Sequence, residues 1–272
     1  MPRWLSAYGC PVEPHQVQLR CAAVAAWTSA ALRGDVSLDR VLDVLRGLPG
    51  GVCFRAPLQG PDPQPLAIAV GSWRSRGVGG WRYVPVAPGD SGGMPGPRAV
   101  AGRAGDAGAA LVSVSGPTLA LLPETPATTA PTSPTAGAST VFDEVPTDGH
   151  GAAPPETLAE LDRSLLTALT EATERLGALE VARWRDQVAE LMASWGQVLP
   201  MPPGTGERAE RLAARAGRTL ALVDLAASDT GGSRTAAEMG ARAYELRDVA
   251  RAARAAHAAA WNCATLGARS RS

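Results

Sequence analysis

The sequence predicts an α+β domain over residues 1–123, with two helices laid on an antiparallel sheet of four to five strands. An all-α antiparallel helical bundle follows over residues 156–272. Three observations carry this reading. Apolar residues recur at helical steps through residue 48, then give way after Pro49-Gly50-Gly51 to short apolar runs fenced by Gly and Pro. Residues 124–155 are mostly Pro, Thr, Ala, Ser and Gly, with too little apolar surface to bury, and so predict a flexible linker. From Pro155 onward leucines return at helical spacing.

The first helix is expected over His15–Arg33, where Val17, Cys21, Val24, Thr28 and Leu32 fall on one side. A second runs from Ser37, its N-cap, to Leu48, with Leu38, Val41, Leu42 and Leu45 on one face. Strands are predicted at Val52–Leu58, Pro65–Trp73, Trp81–Val86, Ala110–Ser115 and Thr118–Leu122. Arg74–Gly80 then reads as a hairpin loop between Trp73 and Trp81, and the Gly/Pro-rich stretch 88–108 as a long loop. Val141-Phe142-Asp143-Glu144-Val145 reads as a stray apolar run within the linker. In the bundle, helical spacing extends from Leu158 through Leu179 and on to Trp195, as one helix or two meeting near Gly177. The next helix is expected over Glu207–Ala227. The last opens with the capping box Thr235-x-x-Glu238 and runs to about Trp261.

Composition narrows the chemistry. All 26 basic residues are Arg, the signature of a GC-rich bacterial coding sequence, and the absence of Lys removes Schiff-base and Lys general-base chemistry. Residues 151–272 balance 15 Arg against 15 acids, which disfavours a nucleic-acid partner, whose phosphates call for a basic excess. The four cysteines have neither a CxxC pair nor a His at ligand spacing, so no metal site is expected, and scattered thiols suit a cytoplasmic location. No apolar run reaches membrane-spanning length.

Three motifs invite an activity. Gly89-Asp90-Ser91-Gly92-Gly93 resembles the nucleophile segment of chymotrypsin-family serine proteases, but upstream of it stands a single histidine, His15, without that family's context. Pro202-Pro203-Gly204-Thr205-Gly206-Glu207-Arg208 resembles the phosphate loop of AAA-type ATPases. Glu207 stands there where that loop needs its Lys, and Arg208 where it needs Ser or Thr. Arg251-x5-His257 is similar to the Arg-x(4–6)-His motif of HEPN-type ribonucleases. On a helical wheel His257 falls with Met239 and Leu246 on the apolar face, with Arg251 about 120° away. No catalytic residue and no cofactor is assigned.

Two features remain as partner-binding candidates. Arg208, Arg211, Arg215 and Arg218 span roughly 80° of one helix, and Arg247, Arg251 and Arg254 about 60° of another. They read either as a surface for an acidic partner or as a solvated face paired with carboxylates of the bundle's first helix. Trp73 and Trp81, with arginines nearby, would present an aromatic–cationic edge at a hairpin mouth, or clamp that hairpin. The function expected is that of a non-enzymatic interaction or regulatory protein, docking a protein partner or self-associating through its bundle. An RNA-directed helical module is the alternative, either a degenerate HEPN-like ribonuclease or an arginine-stripe binder. An enzyme using the loop at 88–108 ranks third.

Overall fold

The computed structural model describes residues 14–48, 52–56, 60, 62–124, 140–150, 156–178, 199–227 and 235–266. The chain divides into two compact units, Met1–Ala152 with Ala264–Ser272, and Ala153–Cys263. Among the described residues there are seven helices and one mixed six-stranded sheet.

The first unit opens with α1 (Pro14–Arg33) and α2 (Leu38–Arg46), the latter capped as expected by Ser37, whose hydroxyl accepts from Arg40 N at 3.3 Å. Every residue from Cys21 to Ala31 is buried, so α1 is enclosed on all sides, and its alanines let neighbours approach closely. Then come β1 (Val52–Arg55), β2 (Gln64–Pro65) and α3 (Leu66–Ser75). The strand expected over Pro65–Trp73 is thus a helix after its first residue. The physical reason is its burial: Leu66, Ala69, Val70 and Trp73 are the buried positions, at helical steps of three and four. Arg74–Gly80 is therefore a helix-to-strand connection rather than a hairpin loop.

β3 (Trp81–Pro85) leads through a glycine-rich turn into α4 (Arg98–Ala107), a helix inside the stretch expected to be loop. It ends at Gly108, whose φ of 80° is the left-handed cap that glycine adopts without strain. β4 (Ala109–Ser113) and β5 (Leu119–Pro123) follow close to their expected places.

β6 (Thr140–Pro146) is the largest departure. The strand order is β2-β1-β6-β5-β4-β3, so a segment expected to be linker is a central strand, parallel to β1 and antiparallel to β5. This overturns a purely antiparallel sheet, and the flexible linker drawn over 124–155 is interrupted by it. Two of the ties that hold β6 come from α1 and β1. The buried Arg20 donates to Thr140 Oγ1 at 2.7 Å, and Phe142, fully buried, stacks on Phe54 of β1 at 5.5 Å. Residues 125–139 and 151–155 of the expected linker lie outside the described residues.

The register sorts the sheet into two faces. Val84, Ala110, Val112, Ala120 and Leu122 pack with Val100, Ala101 and Ala104 of α4, and with Val145. The intervening row Tyr83, Leu111, Leu121 and Glu144 points the other way, toward the side where α3 supplies Trp73 and its C-cap supplies Arg76. α1 also joins that side, where Ser29 binds the backbone of Trp81. Helices therefore cover both faces, not one.

In the second unit the described elements are α5 (Leu158–Ala178), α6 (Glu207–Ala227) and α7 (Ala236–Leu266). α6 has its expected bounds. The Thr235–Glu238 capping box forms in both directions: Thr235 N donates to Glu238 Oε2 and Glu238 N to Thr235 Oγ1, each at 3.1 Å. α5 opens with a second such box, Thr157 N donating to Glu160 Oε2 at 2.7 Å and Glu160 N to Thr157 Oγ1 at 3.3 Å. The helical continuation expected from Leu179 to Trp195 lies outside the described residues.

Candidate functional site

Trp73 and Trp81 are core residues, not an exposed edge, being 1% and 0% exposed. Because 66–75 is helical, Trp73 enters the sheet face from α3 and meets Trp81 and Phe54 edge-on, each at 5.0 Å between ring centroids. Its indole Nε1 donates to Glu144 Oε2 at 3.0 Å, and Arg76 grips the same carboxylate with both terminal nitrogens at 2.6 Å. Glu144 is thus a buried acid whose charge is met by a bidentate guanidinium. The indole N–H of Trp81 has no partner among the described residues.

On the opposite face the neighbouring Asp143 accepts from Arg55 at 2.7 Å and from Arg103 of α4 at 2.6 Å. These carboxylates staple β6 to both helical layers. Their partners come from distant elements, so no local sequence signal marks them.

The three motifs occupy structural positions. Gly89–Gly93 forms a tight turn in which Gly92 N donates to Asp90 Oδ1 at 3.0 Å and Ser91 stands exposed; the side chain of His15 lies outside the described residues. A histidine does reach a serine elsewhere, since His150 Nδ1 lies 3.2 Å from Ser113 Oγ and 2.9 Å from Ser113 O. That hydroxyl donates to Pro117 O at 2.8 Å and accepts from Leu119 N at 3.0 Å, so it clamps the turn between β4 and β5 and its proton points away from the imidazole. In 202–208, Thr205 bonds back to Pro202 O through its backbone N at 3.2 Å and its hydroxyl at 2.7 Å, and Glu207 pairs with Arg211. This is a helix-start turn.

His257 is 1% exposed, and burial lowers its pKa from the usual histidine range to about 4. Its ring lies 6.2 Å from that of Trp261, and a Cβ placed on Gly217 of α6 would sit 3.8 Å from it. Arg251 faces solvent with its side chain 69% exposed, held by Asp248 at 3.0 Å. The fold does not bring these two together. Likewise burial pushes the Cys21 thiol well above its usual range, which makes it inert as a nucleophile. Cys10 and the ends of the chain lie outside the described residues. Among the described residues no three His, Cys, Asp or Glu side chains converge as metal ligands, and no helix is long and apolar enough to cross a membrane.

The arginine stripes come through differently from each other. On α7, Arg247 and Arg251 are exposed and Arg254 is half-buried. Arg247 Nε donates to Ala243 O one turn back, at 3.1 Å. On α6, Arg208, Arg211 and Leu212 with the half-buried Arg215 line a pocket of about 210 Å³, closed by Asp162 of α5. Arg215 is ion-paired to Asp162 across the two helices, and Arg211 to Glu207 along its own. Arg208 has no ion pair or hydrogen bond among the described residues. Arg218 is exposed and lies off the pocket wall, and no arginine of α7 lines it. The helical wheel found the arginines. It missed Asp162, which comes from another helix.

Residues 21–136 match the family model described as Rv1486c-like protein, N-terminal domain. Residues 159–258 match that of Rv1486c-like protein, C-terminal domain. No curated protein and no solved structure matches the chain.

Proposed function

We propose that a chain joining both of these domains works as a non-enzymatic interaction or regulatory protein, with a cytoplasmic site of action. In this reading the helices of the second unit pack as an antiparallel bundle that docks a protein partner with acidic groups, and the α+β unit is a second binding module on the same chain. The observation that carries it is the guanidinium array at the start of α6. Three arginines meet around one concavity with a single carboxylate on its wall, while Arg208, Arg211 and Arg218 stay exposed. Arginine is the cation suited to such a surface, because its planar fork binds carboxylates and phosphates with two parallel hydrogen bonds.

The test is charge reversal at exposed positions only, Arg208→Glu, Arg211→Glu, Arg218→Glu and Arg251→Glu together. The protein is expected to keep its helical circular dichroism and lose its co-purifying partner, and wild-type binding should weaken as salt shortens the Debye length to about 8 Å and below. Unchanged partner capture by the folded variant defeats the reading. An RNA partner would reveal itself instead by a linear fall of log affinity with log salt.

A further inference from the structure

We infer that the pocket at the start of α6 receives a single phosphomonoester dianion, the group borne by a phosphorylated serine or threonine side chain. This deepens the interaction reading above and rests on it. The lining holds three guanidiniums, from Arg208, Arg211 and Arg215, against one carboxylate, from Asp162. That leaves two positive charges, the complement of a dianion. Each arginine is differently prepared. Arg215 is anchored by Asp162, which orients its guanidinium and leaves further N–H groups over. Arg211 is tied only to Glu207, a pair whose side chains are 63% and 79% exposed, so water and salt screen it and a ligand displaces it at little cost. Arg208 is uncommitted among the described residues. The pocket also sits at the N-terminal turns of a 21-residue helix, the end whose dipole favours an anion.

The shape and charge favour this ligand over two rivals. A carboxylate offers one charge and two coplanar oxygens, enough for one bidentate arginine, whereas a monoester offers three oxygens to three guanidiniums. An extended nucleic-acid backbone needs cations in series, and here Asp162 stands on the wall while Glu207 and Glu210 flank the arginines on α6. Leu212 supplies an apolar wall for the methylene or methyl that carries the phosphate.

The experiment is calorimetric titration of the full chain with a phosphoserine peptide, its glutamate counterpart and inorganic phosphate. The phosphopeptide is expected to bind at least about tenfold tighter than the glutamate peptide, and inorganic phosphate to displace it. Affinity should fall as pH drops through about 6, where the dianion takes up a proton; the charged groups lining the site are Asp162 and the three arginines, with Glu207 and Glu210 beside them on α6. Arg208→Gln should cost about tenfold or more while leaving the fold intact, since loss of a charge-assisted hydrogen bond is worth that much. Arg211→Gln, at a second exposed position, should act the same way. Equal binding of both peptides, failure of inorganic phosphate to compete, or an unchanged affinity in both variants overturns the inference. In the first of these the acidic-partner reading survives. If neither peptide binds and the charge-reversed protein still captures its partner, both fall.

Discussion

Glu144 shows how much a single side chain decides here. It is 5% exposed, and three donors, two from Arg76 and one from Trp73, satisfy its two oxygens. Removing it leaves a guanidinium and an indole N–H stranded beside the Phe54–Trp73–Trp81 cluster. Glu144→Ala is therefore expected to destabilise the first unit by about 3 kcal/mol, the low end for breaking a buried pair, because the Arg76 side chain is 23% exposed and water recovers part of the loss. Urea denaturation followed by tryptophan fluorescence reads this as a lowered midpoint. His257 makes a prediction in pH. With its pKa at about 4 when folded and about 6.5 when unfolded, the unfolded chain takes up a proton that the folded one refuses. Stability is thus full above pH 6.5 and falls as pH descends toward 4, by about 3 kcal/mol over that window. His257→Ala should cost about 1–3 kcal/mol at pH 7. It should also remove this component of the acid sensitivity, measured by urea titration at pH 7 and pH 4.5.

Among the elements, glycines separate helix interior from turn. Gly240 lies in α7 with open space where a Cβ would go, so Gly240→Ala should raise stability by about 0.5–1 kcal/mol. Gly92 is the reverse case. Its φ is +59° and a Cβ there would sit 2.1 Å from Pro85 O, so Gly92→Ala should lower the thermal midpoint and displace the turn between β3 and α4. The elements legible in the sequence were those whose signals are local. Ser37, Thr235 and Glu238 mark helix starts by chemistry that needs no distant partner, and α6 was legible to its ends. α3 was misread because Leu66-Ala67-Ile68-Ala69-Val70 is apolar throughout, and only burial shows which residues face inward. β6 was illegible for a stronger reason. Asp143 and Glu144 look wrong for a central strand until Arg55, Arg103 and Arg76 arrive from three other elements to meet their charges. The site divides the same way: helical spacing groups Arg208, Arg211 and Arg215, while Asp162 and the burial of Trp73 and Trp81 follow from long-range packing.

At the scale of the whole molecule, the sheet sets where the chain is divisible. A fragment ending at Pro123 lacks β6 and with it Phe142, Glu144 and the strand that joins β1 to β5. It should therefore give a collapsed, poorly dispersed amide NMR spectrum, whereas a fragment ending at His150 keeps every strand, lacks only residues 151–152 and Ala264–Ser272 of the first unit, and should disperse. Comparable spectra from the two would refute the central place of β6. The same strand has a consequence for biosynthesis. β1 ends at Arg55 and β6 begins at Thr140, and at about 5–20 residues per second a ribosome needs roughly 4–17 s to make the chain between them. For that interval β1 waits without its parallel neighbour, and Phe54 and, once it is made, Trp73 wait without the aromatic and acidic groups of β6 that will cover them. The nascent protein thus carries an open sheet edge beside an uncovered aromatic cluster, a surface of the kind that general chaperones bind, until the residues of β6 have left the exit tunnel.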